Sequence, residues 1–217
     1  MKPFHALPTT LVLLPLLLSG CGNGPGTEVP VDTPATGVTP GAEAEAQELP
    51  PEQEAFWARL MEHCGSAYPG SVVDHTPYYA SAAAYETVVA HFRECSQDRI
   101  HVPMHMDEDR SRNWNLTRVG GTIRLKHDHR HEDGSEEEIS QYGGDAPPPG
   151  LPHRQIFPAD AHTAAILPER WDNFWFMDFM DDETFAYGVH WPEQGHSIRI
   201  HFDLSAPVEP PPDPWGY

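Results

Sequence analysis

Residues 112–129 read RNWNLTRVGGTIRLKHDH, two runs of alternating apolar and polar side chains separated by Gly120-Gly121. Two such runs joined by two glycines are typical of a β-hairpin, because glycine adopts the positive φ angles that a tight turn requires. With this turn, Trp114 lies opposite His127, and both side chains point to one face of the hairpin. The stretch therefore predicts a pair of antiparallel strands with one face that is apolar near the turn.

The far end of the same face carries histidine and arginine. Continuing the register places Arg112 opposite His129 and Arg110 opposite His131. Together with His127, these four residues form the candidate binding face. The other face of the hairpin is polar throughout, so we expect it to meet water. Its members are Asn113, Asn115, Thr117, Arg124, Lys126 and Asp128.

Alternation with a period of two continues along most of the chain. Short strands separated by turn residues, without helices of crossover length, predict a mainly β fold: an antiparallel meander that closes as a small barrel or a curved sheet. Aromatic residues are dense between 171 and 191, where they predict a core or the wall of an apolar ligand pocket. The candidate strands are Ser71–Asp74, Tyr85–Glu94, Arg99–Met106, Asn113–Val119, Thr122–His131, Glu138–Tyr142, Arg154–Phe157, Thr163–Leu167, Asn173–Phe179, Thr184–His190 and Ser197–Leu204.

One helix precedes the predicted strands. Apolar residues recur at helical spacing from Phe56 to Met61, and Gly65 is a natural C-terminal stop. We therefore expect a β-rich domain with an N-terminal helix at residues 52–206. Residues 207–217 are rich in proline and predict an extended tail.

The N-terminus predicts the location of the protein. Residues 1–20 have a basic start, a short apolar run and small residues at the end, which is the layout of a signal peptide. The sequence LSGC at 18–21 resembles the bacterial lipobox, which implies a lipid anchor on Cys21, and Gly22 resembles the pattern of lipoproteins sent to the outer membrane. We expect a protein of the cell envelope, anchored to the outer membrane and facing the periplasm or the cell surface. Residues 21–51, which begin with the lipidated cysteine, predict a disordered tether.

The chain is strongly acidic, with 33 Asp and Glu against 13 Lys and Arg and a net charge of −20. This charge disfavours nucleic acid as a partner and also disfavours binding to anionic lipid headgroups through a basic patch. Apart from Cys21, the chain has two cysteines, Cys64 and Cys95. In an oxidising export compartment such a pair is expected to form a disulfide.

The histidines also allow a zinc or copper site. His127, His129 and His131 lie at alternate positions of one predicted strand. Neighbours on one face of a strand are roughly 6.6 Å apart, however, and the arginines opposite them repel a divalent cation. A structural polar network, a metal site and an anion-binding or catalytic site therefore remain open, and no other cofactor is predicted. Further candidate ligands are His101, His105 and His201.

The sequence contains no hydrolytic, phosphate-binding or redox motif of a familiar kind. The segment from Trp114 through LKHDHRHEDGS at 125–135 to YGGD at 142–145 resembles a group of uncharacterised secreted or lipid-anchored proteins of Gram-negative bacteria. The resemblance implies an exported bacterial domain and brings no established activity. We expect an envelope lipoprotein whose β domain binds a ligand or an envelope protein without catalysis. The alternative is a metal-binding protein or a metal-dependent enzyme that uses the histidine cluster.

Overall fold

The computed structural model describes residues 48–217, so the predicted signal peptide, Cys21 and most of the predicted tether lie outside the described residues. Leu49 is buried in the core, and the first helix begins two residues later. Single turns of 3-10 helix occur at Pro77–Tyr79, Ala82–Ala84 and Pro168–Arg170. The other elements are α1 (Pro51–Glu62), β1 (Ala67–His75), β2 (Val88–His91), β3 (Glu94–Cys95), β4 (Arg99–Met106), β5 (Asp109–Val119), β6 (Thr122–His129), β7 (Tyr142–Asp145), β8 (Arg154–Pro158), α2 (Ala161–Ile166), β9 (Phe174–Phe179), β10 (Thr184–Trp191) and β11 (His196–Asp203).

The strands form one antiparallel meander that is nearly closed into a barrel. Around the wall the order is β1, β2, β4, β5, β6 and β7, then β8, β9, β10 and β11, and β11 pairs again with β1. The short strand β3 pairs with β4 beside this path. The predicted fold class, mainly β with an antiparallel meander and one N-terminal helix, is therefore confirmed.

The seam of the barrel lies between β7 and β8, which have no ladder between them. Here the Asp160 N–H donates to the Gly143 carbonyl at 2.9 Å, and the Thr163 hydroxyl donates to the same oxygen at 2.9 Å. A Cβ placed on Gly144 would come within 1.8 Å of the Pro158 carbonyl oxygen. The two edges meet so closely that only glycine fits at this position.

The hairpin of β5 and β6 has the predicted register. Trp114 pairs with His127, and Arg112 pairs with His129, where the ladder ends. The chain then turns, because the His131 N–H donates to the Ser135 carbonyl at 2.8 Å. The further predicted pair, Arg110 with His131, is therefore not part of the ladder.

Helix α1 seals one end of the barrel. Its residues Phe56, Trp57 and Leu60 are fully buried, which matches their helical spacing in the sequence. The Gln53 side chain accepts from the Ile123 N–H at 3.1 Å and donates to the Ala146 carbonyl at 3.2 Å, so the helix is hydrogen-bonded to the barrel wall. No helix within residues 48–217 has both the length and the hydropathy to cross a membrane.

A disulfide fixes this seal. It joins Cys64, just after α1, to Cys95 in β3, with a distance of 6.1 Å between the two Cα atoms. This is the predicted pairing.

Two predicted strands are wrong. Residues 163–167 lie mostly in α2, because the Asp160 side chain accepts from the Thr163 N–H at 2.9 Å and caps a helix there. Residues 138–141 form turns, and the strand begins only at Tyr142. In both cases a local turn or cap prevails over the alternating pattern.

The C-terminal tail lies against the outside of the barrel. The Trp215 N–H donates to the Arg110 carbonyl at 3.2 Å. The Tyr217 ring stacks on His101 with 4.4 Å between the ring centroids, and the Tyr217 hydroxyl donates to the carboxylate of Asp128. The proline-rich segment is therefore part of the folded domain.

The prediction that the outer face of the hairpin meets water is wrong for two of its residues, which lie beneath the tail. Asn113 and Asp128 are 0% and 1% exposed. Asp128 also accepts from Arg130 at 2.9 Å, from Ser140 at 3.1 Å and from Gln141 at 3.2 Å, so its charge is well compensated. We name Asn113, Asp128 and the side chains hydrogen-bonded to them the outer layer. These side chains are His101, Arg130, Ser140, Gln141 and Tyr217.

Candidate functional site

The barrel holds a cavity of about 370 Å³ at the end opposite α1. Helix α1 lies beside the turns that join β5 to β6 and β9 to β10. The opposite ends of these strands therefore form the end of the barrel that holds the cavity. This volume is within the range of small-molecule sites, roughly 300–1,000 Å³. The apolar part of its wall includes Trp114, Trp175, Tyr187, Val189, Ile198 and Ile200.

Aromatic rings pack closely on one side of the cavity. Trp114 and Tyr187 lie 4.2 Å apart, and Tyr142 lies 5.5 Å from Trp175, as measured between ring centroids. All four side chains are buried. Such rings offer a large apolar surface with a fixed shape, which suits a flat or extended ligand.

Turns of 3-10 helix cover the mouth of the cavity. Tyr78 and Tyr79 belong to the turn that follows β1, and both contact Trp191 at the end of β10. Tyr78 also stacks on His196 and is 49% exposed. The mouth is therefore partly covered by two short turns, whereas the other end is closed by a helix.

His127 is hydrogen-bonded at both ring nitrogens. Its Nδ1 donates to the Tyr142 carbonyl at 3.1 Å, because a carbonyl only accepts, and its Nε2 therefore accepts from the Tyr187 hydroxyl at 2.7 Å. Burial lowers the pKa of His127 to about 3, despite the opposing effect of the carbonyl. The ring is neutral at physiological pH.

His129 is held in a similar way. Its Nε2 is 3.0 Å from the Tyr142 hydroxyl, and its Nδ1 is 3.5 Å from the Glu137 carboxylate. Burial, together with the nearby Arg112 guanidinium, lowers its pKa to about 4. Neither cavity histidine therefore carries charge at neutral pH.

Two arginines supply the positive charge of the cavity. Arg112 lines it and is paired with the carboxylate of Asp109. Arg170 lines it from the 3-10 turn before β9, with its guanidinium 4.4 Å from the centroid of the Trp191 ring. Its closest carboxylate among the described residues, that of Glu169, is 3.8 Å away and largely exposed, so the charge of Arg170 is only weakly compensated.

Asn173 is the most unusual polar residue of the site. It is 1% exposed, it lines the cavity, and neither its amide oxygen nor its amide nitrogen has a hydrogen-bond partner among residues 48–217. The Asn173 N–H donates to the Arg170 carbonyl at 3.2 Å, so both residues lie on one turn. A buried side chain without partners is rare, and a bound molecule is one explanation for it.

The predicted binding face is divided by the structure. Arg112, His127 and His129 line the cavity. Arg110 lies under the tail, where its guanidinium donates to the Asp213 carbonyl at 3.2 Å, and His131 is exposed in a turn. Arg170 and Asn173 were not predicted.

The histidines do not converge as metal ligands. His101 and His105 point to the outside of β4, since Val102 and Met104 between them belong to the core, and His201 lies on the outside of β11. Within residues 48–217 no group of three or more His, Cys, Asp or Glu side chains is placed to hold a metal ion. The His101 ring is instead hydrogen-bonded to Asn113 at 3.1 Å.

Comparison of the chain with protein-family models, with curated proteins and with solved structures gave no match. The geometry of the cavity is therefore the basis on which a function is assigned.

Proposed function

We propose that this protein is an envelope lipoprotein that binds one small, mainly apolar molecule inside its barrel and does not transform it. The observation that carries the proposal is the cavity of about 370 Å³ with its aromatic wall and a few polar groups. Sites of this kind typically combine an apolar lining with a small number of placed polar side chains.

The state of the cavity histidines favours binding over catalysis. Both histidines are neutral, and each has a ring nitrogen hydrogen-bonded to a tyrosine hydroxyl. These hydroxyls belong to Tyr187 and Tyr142. Burial raises the pKa of both, that of Tyr142 to about 12, so neither hydroxyl is poised for proton transfer near pH 7.

The proposed location depends on the N-terminal sequence. The signal-like segment at 1–20 and the lipobox-like LSGC at 18–21 support an anchor on Cys21. Mass spectrometry of the protein from a bacterial host tests this directly. We expect an acylated N-terminal peptide that begins at Cys21, and a Cys21→Ser chain that is not acylated.

Binding is tested on the Cys21→Ser chain, purified without detergent, with the neutral fluorescent probe N-phenyl-1-naphthylamine. Val189→Trp adds an indole ring within the cavity, and Val73→Trp is the matched control, because Val73 is 49% exposed on the barrel surface. We expect the wild type and Val73→Trp to bind the probe equally and Val189→Trp to bind at least tenfold more weakly.

Equal binding by all three chains would contradict the proposed site. Thermal unfolding of each variant accompanies the titration, because adding volume to a core can destabilise it. If Val189→Trp does not fold, Ile200→Phe is the smaller change at the same cavity.

A further inference from the structure

The cavity differs in charge from the rest of the molecule. The chain has 33 acidic residues and a net charge of −20, yet the described side chains that line the cavity include two arginines and neither Asp nor Glu. The acidic surface repels anions at long range, so the two arginines do not draw anions to the protein from solution. They favour a negatively charged group only at close range, once it is inside the cavity.

The balance of charge around the two arginines indicates a single negative charge on the ligand. Arg112 already pairs with Asp109, whereas among the described residues Arg170 has only the exposed carboxylate of Glu169 at 3.8 Å. One guanidinium is therefore left for the ligand. A monoanion balances it, and a dianion such as a phosphate monoester would bring an excess of negative charge into a buried site.

The donors available near Arg170 fit a planar head group. Arg170 Nε is buried without a hydrogen-bond partner among the described residues, and so is the Asn173 amide nitrogen, on the same turn. A guanidinium presents its N–H groups in a flat fork that matches the two oxygens of a carboxylate. The hydroxyls of Tyr142 and Tyr187 are not alternative donors, because both are hydrogen-bonded to histidine.

We propose that the ligand is a small monocarboxylate with an aromatic or aliphatic body. Its carboxylate binds Arg170 and Asn173 at the mouth, and its apolar body packs against Trp175, Tyr187 and Val189. This inference rests on the proposed function, since it specifies what the cavity binds.

The test compares pairs of probes that have the same body and different heads. On the Cys21→Ser chain at pH 7, calorimetry measures binding of 2-naphthoate against 2-naphthamide, and of decanoate against decanol. Carboxylic acids are ionised at this pH. We expect the acid to bind at least tenfold more tightly than its neutral partner in one or both pairs.

The variants assign this preference to individual side chains. Arg170→Gln and Asn173→Leu are compared with Arg99→Gln, which removes the same charge from an exposed position on the outside of β4. We expect the ratio of acid to neutral affinity to fall at least fivefold in Arg170→Gln and at least twofold in Asn173→Leu, and to stay unchanged in Arg99→Gln. A ratio is read because partial loss of folded protein affects both probes of a pair equally.

The outcomes separate the two proposals. If the neutral probes bind as tightly as the acids, and cavity filling by Val189→Trp abolishes both, the ligand class is wrong and the binding function stands. If the acids are preferred equally by the wild type and Arg170→Gln, the assigned residue is wrong. If none of the four probes and no N-phenyl-1-naphthylamine binds, both proposals fail.

Discussion

Asn113 and Asn173 are almost equally buried, at 0% and 1% exposure, but one lies in the outer layer and the other lines the cavity. Asn113 belongs to the outer layer, where its amide accepts from His101 and donates to the Asp128 carbonyl. Asn173 lines the cavity, and its amide has no partner among residues 48–217. Burial alone therefore does not distinguish a structural polar residue from a binding one. What differs between these two asparagines is the presence of side-chain partners among the described residues.

Acid should lower the free energy of unfolding strongly, through histidines on the outside of the barrel and in the cavity, and this is the largest expected effect. His101 and His105 outside the barrel, and His127 and His129 inside it, have pKa values lowered to about 3–4, primarily by burial. In the unfolded chain they titrate near 6.5, so only the unfolded state takes up protons between pH 6.5 and about 4. The free energy of unfolding should fall over this window by about 1.4 kcal/mol per pH unit for each histidine.

Denaturant unfolding at pH 7, 5.5 and 4.5 measures this slope. His101→Gln in the outer layer and His127→Gln in the cavity should each reduce it by about one proton. If the slope changes in only one of the two variants, His101 and His127 are not equally shielded from water. The outer layer and the cavity would then not respond alike to acid.

Asp128→Ala should give the next largest effect. Its buried carboxylate accepts from four other side chains, and one of them is Tyr217 of the tail. We expect a loss of about 3 kcal/mol in the free energy of unfolding and faster proteolysis of the tail. Asp145→Ala, which removes the surface partner of Arg124, should cost about 1 kcal/mol or less in the same measurement. Similar losses in both variants would show that the outer layer is not a cooperative network.

The smallest effect is also the most direct comparison of the two asparagines. Asn113→Leu leaves His101 and a buried carbonyl without partners, so we expect a loss of about 2 kcal/mol. Asn173→Leu removes no side-chain hydrogen bond among the described residues, so its free energy of unfolding should change by about 0.5 kcal/mol or less. Chemical denaturation in the absence of added ligand measures both. An equal loss would place Asn173 among the structural residues and weaken the proposed carboxylate site.

Much of the fold follows from local patterns, and these were readable in the sequence. The register of the hairpin through Arg112 and His129 depends on two glycines and on alternation, which act between neighbours along the chain. The tail was not predicted to pack, because Tyr217 and Asp128 are 89 residues apart and no short-range pattern connects them. The prediction that the outer face meets water was wrong for Asn113 and Asp128 for the same reason.

The candidate site was half predicted. Arg112, His127 and His129 stood out because strand alternation places them on one face. Arg170 lies in a 3-10 turn, where no periodicity indicates which way a side chain points. Asn173 begins the predicted strand Asn173–Phe179, but a single asparagine at the start of a strand does not by itself indicate a binding site. Their position follows from the meander, which brings the start of β9 beside the end of β6, and this arrangement is a property of the whole chain.

The seal formed by α1 and the disulfide gives the molecule a direction. The chain enters the domain at residues 48–50, at the sealed end, and the cavity opens at the other. Residues 21–47 precede this point in the chain, so a lipid on Cys21 would be connected to the domain at its sealed end and not beside the opening. A ligand could then enter and leave the cavity without passing the point where the chain is attached.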